Sequence, residues 1–272
     1  MKFKKNILSL FVLGLTVLLA YFGVAIFDIQ RQKPNPTQTE EEKGTIKKVA
    51  TDASCTRTKR LENKPVYDRA LSFIGEKYGL WDKEYLNGED SYSYFPSQLV
   101  NCIKIDEGNL KNTTGEEGYF IFHGDQIKEN YYPITVDVDY GYNDEAINAL
   151  LLVHEITHAQ QYIDFLNGKP EISCIDKEVD AFHSQWNFYK FQFPETRKTI
   201  DLRIQNDKNL NPTLQVLKAI QEEISLHFDK RESECLYGSG KTDVGKCVDK
   251  FDKNLIKNLL LQDEFYQKQC GF

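Results

Sequence analysis

The chain has 272 residues, 40% of them hydrophobic and 12% aromatic, which is enough for one sizeable core and a short appendage. Its 41 acidic residues outweigh 34 basic ones for a formal charge of -7, and no run of lysines and arginines interleaved with aromatics crosses it. That balance lacks the electrostatic footprint of a phosphate backbone, so no nucleic-acid partner is expected.

The first element is apolar. After Lys2, Lys4 and Lys5, residues 6 to 27 read NILSLFVLGLTVLLAYFGVAIF without a charge, long enough to cross a bilayer as a helix. Residues 1–28 are therefore expected to form an N-terminal transmembrane anchor. The basic flank before it favours a cytoplasmic N-terminus and puts the rest of the chain outside the cytoplasm. A cleaved signal peptide is the alternative, since Gly23-Val24-Ala25 has the small residues a signal peptidase reads; the remainder would then be secreted. Residues 29–54, rich in charge and proline and poor in large apolar groups, read as a flexible linker, and the folded domain is expected over 55–272.

All six cysteines, Cys55, Cys102, Cys174, Cys235, Cys247 and Cys270, lie beyond the apolar segment. An even count after an export signal points to disulfides in an oxidising compartment. Cys235 and Cys247 flank the Gly-rich LYGSGKTDVGK and form the one local pair that spacing suggests; no CxxC occurs, which argues against a cysteine zinc cluster.

Pro65 opens a helical stretch, PVYDRALSFIGEKYG, with Val66, Ala70, Ile74 and Tyr78 on one face. Strands are predicted over 98–105 (QLVNCIKI), 118–125 (GYFIFHGD) and 131–139 (YYPITVDVD), the last two joined by a QIKEN hairpin loop. In the third, Ile134, Val136 and Val138 alternate with Thr135, Asp137 and Asp139, and Pro133 implies a strand start or an edge. Asn143 or Asp144 then caps a helix, DEAINALLLVHEITHAQQYIDFL, that Asn167-Gly168 stops. A second helix, ISCIDKEVDAFHSQWNFYKF, ends at Pro194, and two amphipathic stretches follow, TLQVLKAIQEEISLHF and VDKFDKNLIKNLLLQDEFYQK. Strands early and helices late give an α+β class, a small sheet followed by a mainly helical lobe.

The chemistry concentrates in HEITH. On a helix His154 and His158 stand one turn apart on one face and can present two imidazoles to one metal ion, while Glu155 lies about 100° round the helix beside them. A carboxylate there can take a proton from water. A hydrolytic zinc needs a third protein ligand and an open position. Asp164, six residues past His158, would serve only if the helix turned; with Gln161 where a glycine would be wanted, the helix runs on. Glu178, on the following helix beyond the NGKP turn, fits better, with Ala181 allowing close helix approach and Asp176 and Asp180 as fallbacks. Gln161 either orients a ligand or closes the core. The competing reading of all these residues is two histidines packed on a helix face and a solvated carboxylate.

HEITH followed by Glu178 in KEVDA resembles the gluzincin branch of zinc metallopeptidases, over roughly residues 98–193. The resemblance implies a zincin-like fold, Zn2+ held by His154, His158 and Glu178, and Glu155 as general base toward a zinc-activated water. It further implies a peptide or protein substrate that adds to an edge strand, for which GYFIFHGD is the candidate. A transition-state stabiliser is also expected, with His227, His183, Tyr140 and Tyr142 all available and no motif to choose among them. The expectation is thus a membrane-anchored extracytoplasmic zinc metallopeptidase. The alternative is a disulfide-stapled cell-surface binding domain with a structural or vestigial zinc site.

Overall fold

The computed structural model describes residues 54–85, 95–110, 118–120, 130–138, 144–208, 210–238 and 244–272. The apolar segment 6–27, residues 29–53 of the linker, Tyr140 and Tyr142 lie outside them. No helix among the described residues is long and apolar enough to cross a membrane. In order, the elements are helix α1 (Pro65–Tyr85), a 3-10 helix (Ser97–Cys102), strands β1 (Ile103–Gly108), β2 (Gly118–Phe120) and β3 (Tyr132–Asp137), and helices α2 (Glu145–Leu166) and α3 (Cys174–Lys190). Then come α4 (Pro194–Asn206), α5 (Pro212–Leu226), α6 (Phe228–Glu232), a π-helical turn (Ser233–Gly238), α7 (Val244–Gln262) and α8 (Glu264–Cys270). The class is α+β: the described residues are mostly helical, with one three-stranded sheet among them.

The sheet has order β1-β3-β2. β1 runs parallel to β3, pairing Ile105 with Ile134, and β2 runs antiparallel to it, pairing Tyr119 with Thr135. The third predicted strand is thus central, and Pro133 sits at its start, where a missing N–H costs least. Alternation holds for Ile134 and Val136 and then fails: Asp137 is buried and Val138 exposed. Of the segment 98–105 only the end is strand, because Ser97–Cys102 winds into a 3-10 turn that buries Leu99, Val100 and Cys102. Asn63 covers the outer edge of β1, its Oδ1 accepting from Ile105 N (2.8 Å) and its Nδ2 donating to Ile103 O (3.1 Å).

α1 buries the face its periodicity marks, with Ala70, Ile74 and Tyr78 inaccessible. Tyr78 stacks on Phe95 (4.2 Å between centroids), and its hydroxyl meets Ser184 Oγ on α3 at 3.2 Å. At Gly75 the 3-10 turn approaches closely: a Cβ there would come within 3.1 Å of Val100.

α2 is the central helix, and its residues from Ala146 to Thr157 are all buried. A helix apolar all round belongs in the middle of a core. Asp144 caps it, accepting from Ala146 N (2.9 Å) and Ile147 N (3.1 Å), and Gly168 at φ 86° follows its end in the left-handed conformation that glycine adopts without strain. α3 packs along it, with Gln185 Nε2 donating to Leu150 O (3.1 Å). Pro194 does not merely end a helix: it is the first residue of α4, a helix the sequence reading omits, since proline is tolerated where the N–H has no partner in any case. The last amphipathic stretch likewise divides, because Asp263 starts α8 by accepting from Phe265 N (2.8 Å).

All six cysteines are paired: Cys55–Cys102, Cys174–Cys270 and Cys235–Cys247. The first two close spans of 47 and 96 residues. By loop-closure entropy they remove about 4 and about 5 kcal/mol of denatured-state freedom respectively, against about 3 kcal/mol for the 12-residue span.

Candidate metal centre

The helical spacing of HEITH and the antiparallel return of α3 bring three side chains to one point. His154 Nε2 and His158 Nε2 stand 3.2 Å apart; Glu178 Oε2 lies 3.4 Å from the first and Glu178 Oε1 3.7 Å from the second. Together they form a group able to hold a metal ion, with ligand atoms within 4.8 Å of one another. His154 and Glu178 are buried and His158 nearly so. They lie in a cleft of about 670 Å³ whose walls also carry Glu155, the β2 segment Gly118, Tyr119 and Phe120, and Tyr266 and Gln269 of α8.

Each ligand is oriented by a different device. His158 Nδ1 lies 2.9 Å from Gln161 Oε1, and Gln161 Nε2 donates to Lys177 O at 3.0 Å. That chain keeps a proton on Nδ1 and leaves Nε2, the nitrogen facing Glu178 and His154, as the one that takes up either a further proton or a metal ion. Of the two roles open to Gln161, orienting a ligand is the one its contacts perform. His154 Nδ1 is buried with no hydrogen-bond partner among the described residues, and its ring is held by packing instead, edge-on to Phe182 at 4.5 Å between centroids. Glu178 Oε1 accepts from Gln269 Nε2 at 3.3 Å.

The electrostatics follow from this enclosure. Burial alone would pull the His158 pKa down, but the Glu178 carboxylate and its hydrogen bond, with Glu155 and Gln161 adding, push it up to about 9. Burial raises the Glu178 carboxyl, and the two imidazoles more than reverse it, holding it well below the usual carboxylate range. The cluster thus favours an anionic Glu178 carboxylate beside a protonated His158.

The other sequence candidates divide cleanly. Asp164 stays on α2, bound by Gln160 and Lys169 at 2.8 Å each, because the helix continues to Leu166. Asp176 and Asp180 pair at 2.7 Å with Lys257 and Lys253 of α7. Neither expected histidine reaches the cleft. His183, five residues or about 140° round α3 from Glu178, is buried against α7 with Nε2 3.6 Å from Asp249 Oδ1. His227 terminates α5 at the surface, 3.5 Å from Glu223 of its own helix. Tyr266, Gln269 and Phe182 carry no motif, so the reading of the sequence missed them; a tertiary contact alone singles them out.

No known protein family, curated protein or solved structure matches the chain.

Proposed function

We propose that the chain is a zinc metallopeptidase of the gluzincin type, with a zincin-like domain acting outside the cytoplasm. The observation that carries this is the convergence of His154, His158 and Glu178 in a cleft that also holds Glu155. Two imidazoles and a carboxylate suit zinc better than magnesium or calcium, which take oxygen ligands. For metal–ligand bonds of about 2.0 to 2.1 Å, tetrahedral ligands stand roughly 3.3 Å apart. His154 Nε2 stands near that value from both His158 Nε2 (3.2 Å) and Glu178 Oε2 (3.4 Å). No fourth His, Cys, Asp or Glu joins the group among the described residues, which favours an open site over a closed structural one.

Zinc, when bound, supplies Lewis-acid polarisation of a peptide carbonyl and of water. The remaining work falls to the chain. His154, His158 and Glu178 fix the ion's position, and Gln161 keeps His158 in the tautomer that can ligate. Glu155 is the general base, taking a proton from water and returning it to the leaving amine. β2 lines the cleft and, among the described residues, pairs with β3 alone, so its other edge can receive an extended peptide. Three disulfides, together with the apolar segment 6–27, support an anchored or secreted protein in an oxidising compartment.

The test is elemental analysis of the purified chain with cleavage of a mixed peptide library. Stoichiometric zinc, and cleavage reduced about a hundred- to ten-thousand-fold in Glu155→Gln at unchanged zinc content, are expected. A wild-type chain without zinc would sink the proposal. Zinc without Glu155-dependent cleavage would leave a metal-holding, disulfide-stapled binding domain.

A further inference from the structure

The last helix touches the metal centre by two routes. Gln269 donates to Glu178 Oε1, leaving Oε2 as the oxygen nearer His154. One turn earlier, Tyr266 lies edge-on to Phe182 (5.6 Å, 83°), the ring that in turn packs against His154. α8 has only seven residues, far too few to be helical by itself. Its register is instead held covalently: Cys270, next to Gln269, is bonded to Cys174, the first residue of α3 and one turn before Glu178. The disulfide and the amide–carboxylate hydrogen bond therefore join the same two helices one turn apart.

We propose that Gln269 is a positioning residue for the metal centre, holding the Glu178 carboxylate through its amide, and that the Cys174–Cys270 disulfide keeps it there. This rests on the metal-site reading above. A carboxylate has two equivalent oxygens and swings readily; a donor on Oε1 presents Oε2 to the site in one orientation. An uncharged amide does so without contributing the positive charge by which a lysine would oppose an incoming cation. Gln161 treats His158 in the same way, so two of the three ligands are held by neutral carboxamides on different elements. Outer partners of this kind are worth about 10- to 100-fold in metal affinity.

The experiment is competition for zinc against a chromogenic chelator, using the full chain, Gln269→Ala, Cys174→Ser/Cys270→Ser and the triple variant, with melting of each metal-free form. Gln269 is solvent-exposed, so its truncation leaves the core intact. Gln269→Ala should bind zinc about 10- to 100-fold more weakly with its metal-free melting unchanged. A merely structural residue would do the opposite. Loss of the disulfide should weaken zinc binding too, and adding Gln269→Ala to it should cost little more, because the two act through one contact. Gln269→Ala with affinity within about twofold of wild type would overturn this inference alone. A wild type that binds no zinc would overturn it together with the metal-site reading.

Discussion

Glu178 and Asp252 are both buried carboxylates served by α3, and their surroundings differ in kind. Asp252, fully inaccessible on α7, receives Trp186 Nε1 at 3.0 Å, Arg231 at 3.2 Å and Lys190 at 3.5 Å. Its charge is answered by cations of the chain itself. Among the described residues Glu178 has no lysine or arginine partner: it faces two imidazoles and one neutral amide, at the edge of a cleft. A buried anion costs several kcal/mol unless it is paired. Where the chain supplies permanent cations the carboxylate is a structural cross-link; where it supplies titratable imidazoles around an opening, a cation from outside can take the place of the proton that His158 carries.

The largest effect should come from breaking the closed network. Asp252→Ala leaves Arg231 and Lys190 facing each other without their anion, and should lower folding stability by about 3 to 5 kcal/mol in denaturant titration, with zinc affinity of the folded fraction unchanged. Glu178→Gln should do the reverse. Wild type is expected to gain about 2.7 kcal/mol at a zinc concentration a hundredfold above its Kd, and the variant, measured against its own metal-free form, should lose that gain. If both substitutions acted alike, the distinction between the two carboxylates would fail.

His183 sharpens the boundary between the two regions. Burial, with Lys253 and Lys190 adding, holds its pKa well below the ordinary imidazole value, and Asp249 at 3.6 Å does not offset them. Asn187 Nδ2, 3.5 Å from its Nδ1, is a further neighbour. Its folded state is neutral, so the unfolded chain binds the extra proton once pH falls below about 6.5. Stability contributed by neutral His183 is therefore present above that pH and declines as acid is added, by at most about 1.4 kcal/mol per pH unit. In His183→Gln the decline between pH 6.5 and 5 should be shallower than in wild type, as read from denaturation midpoints. The smallest effect belongs to Lys257→Ala. It removes an exposed pair with Asp176, on the same helix as Glu178, and should change stability by less than about 1 kcal/mol and zinc affinity not at all.

How far the site was legible depends on where each part sits in the chain. His154 and His158 are brought together by a single helical turn, so their juxtaposition follows from spacing alone. Glu178 needed one turn and one packed helix more: Asn167-Gly168 marked the end of the first helix, whereas the cap of the second, Ser173, is seen only in the structure. Gln269 is 91 residues from Glu178, on a helix with no motif, and nothing local distinguishes it from Gln267 beside it. The same limit applies to the histidines. His227 and His183 were chemically eligible, but helix phase directs one to α7 and the surface pairing of the other keeps it with Glu223.

The sheet divides in the same way. Hydrophobic alternation located β3, and its central position came from pairing on both sides, which no strand specifies by itself. Segment 98–105 has strand-like composition, yet the Cys55–Cys102 link and the burial of Leu99 and Val100 beneath α1 go with a 3-10 turn. Of the disulfides, only Cys235–Cys247 could be paired from spacing.

By itself, then, the sequence determined the elements whose causes are local: the caps of α2, its buried apolar run, the paired imidazoles and the carboxylate beside them. Tertiary structure alone decided which distant groups complete the centre. Cys270 meets Cys174, Gln269 meets Glu178, and Lys253 and Lys257 draw Asp180 and Asp176 away from it. The physical reason is range: hydrogen-bond and side-chain periodicity within a helix acts over three to five residues, whereas ligand orientation is set by contacts between helices whose partners the chain brings together only on folding.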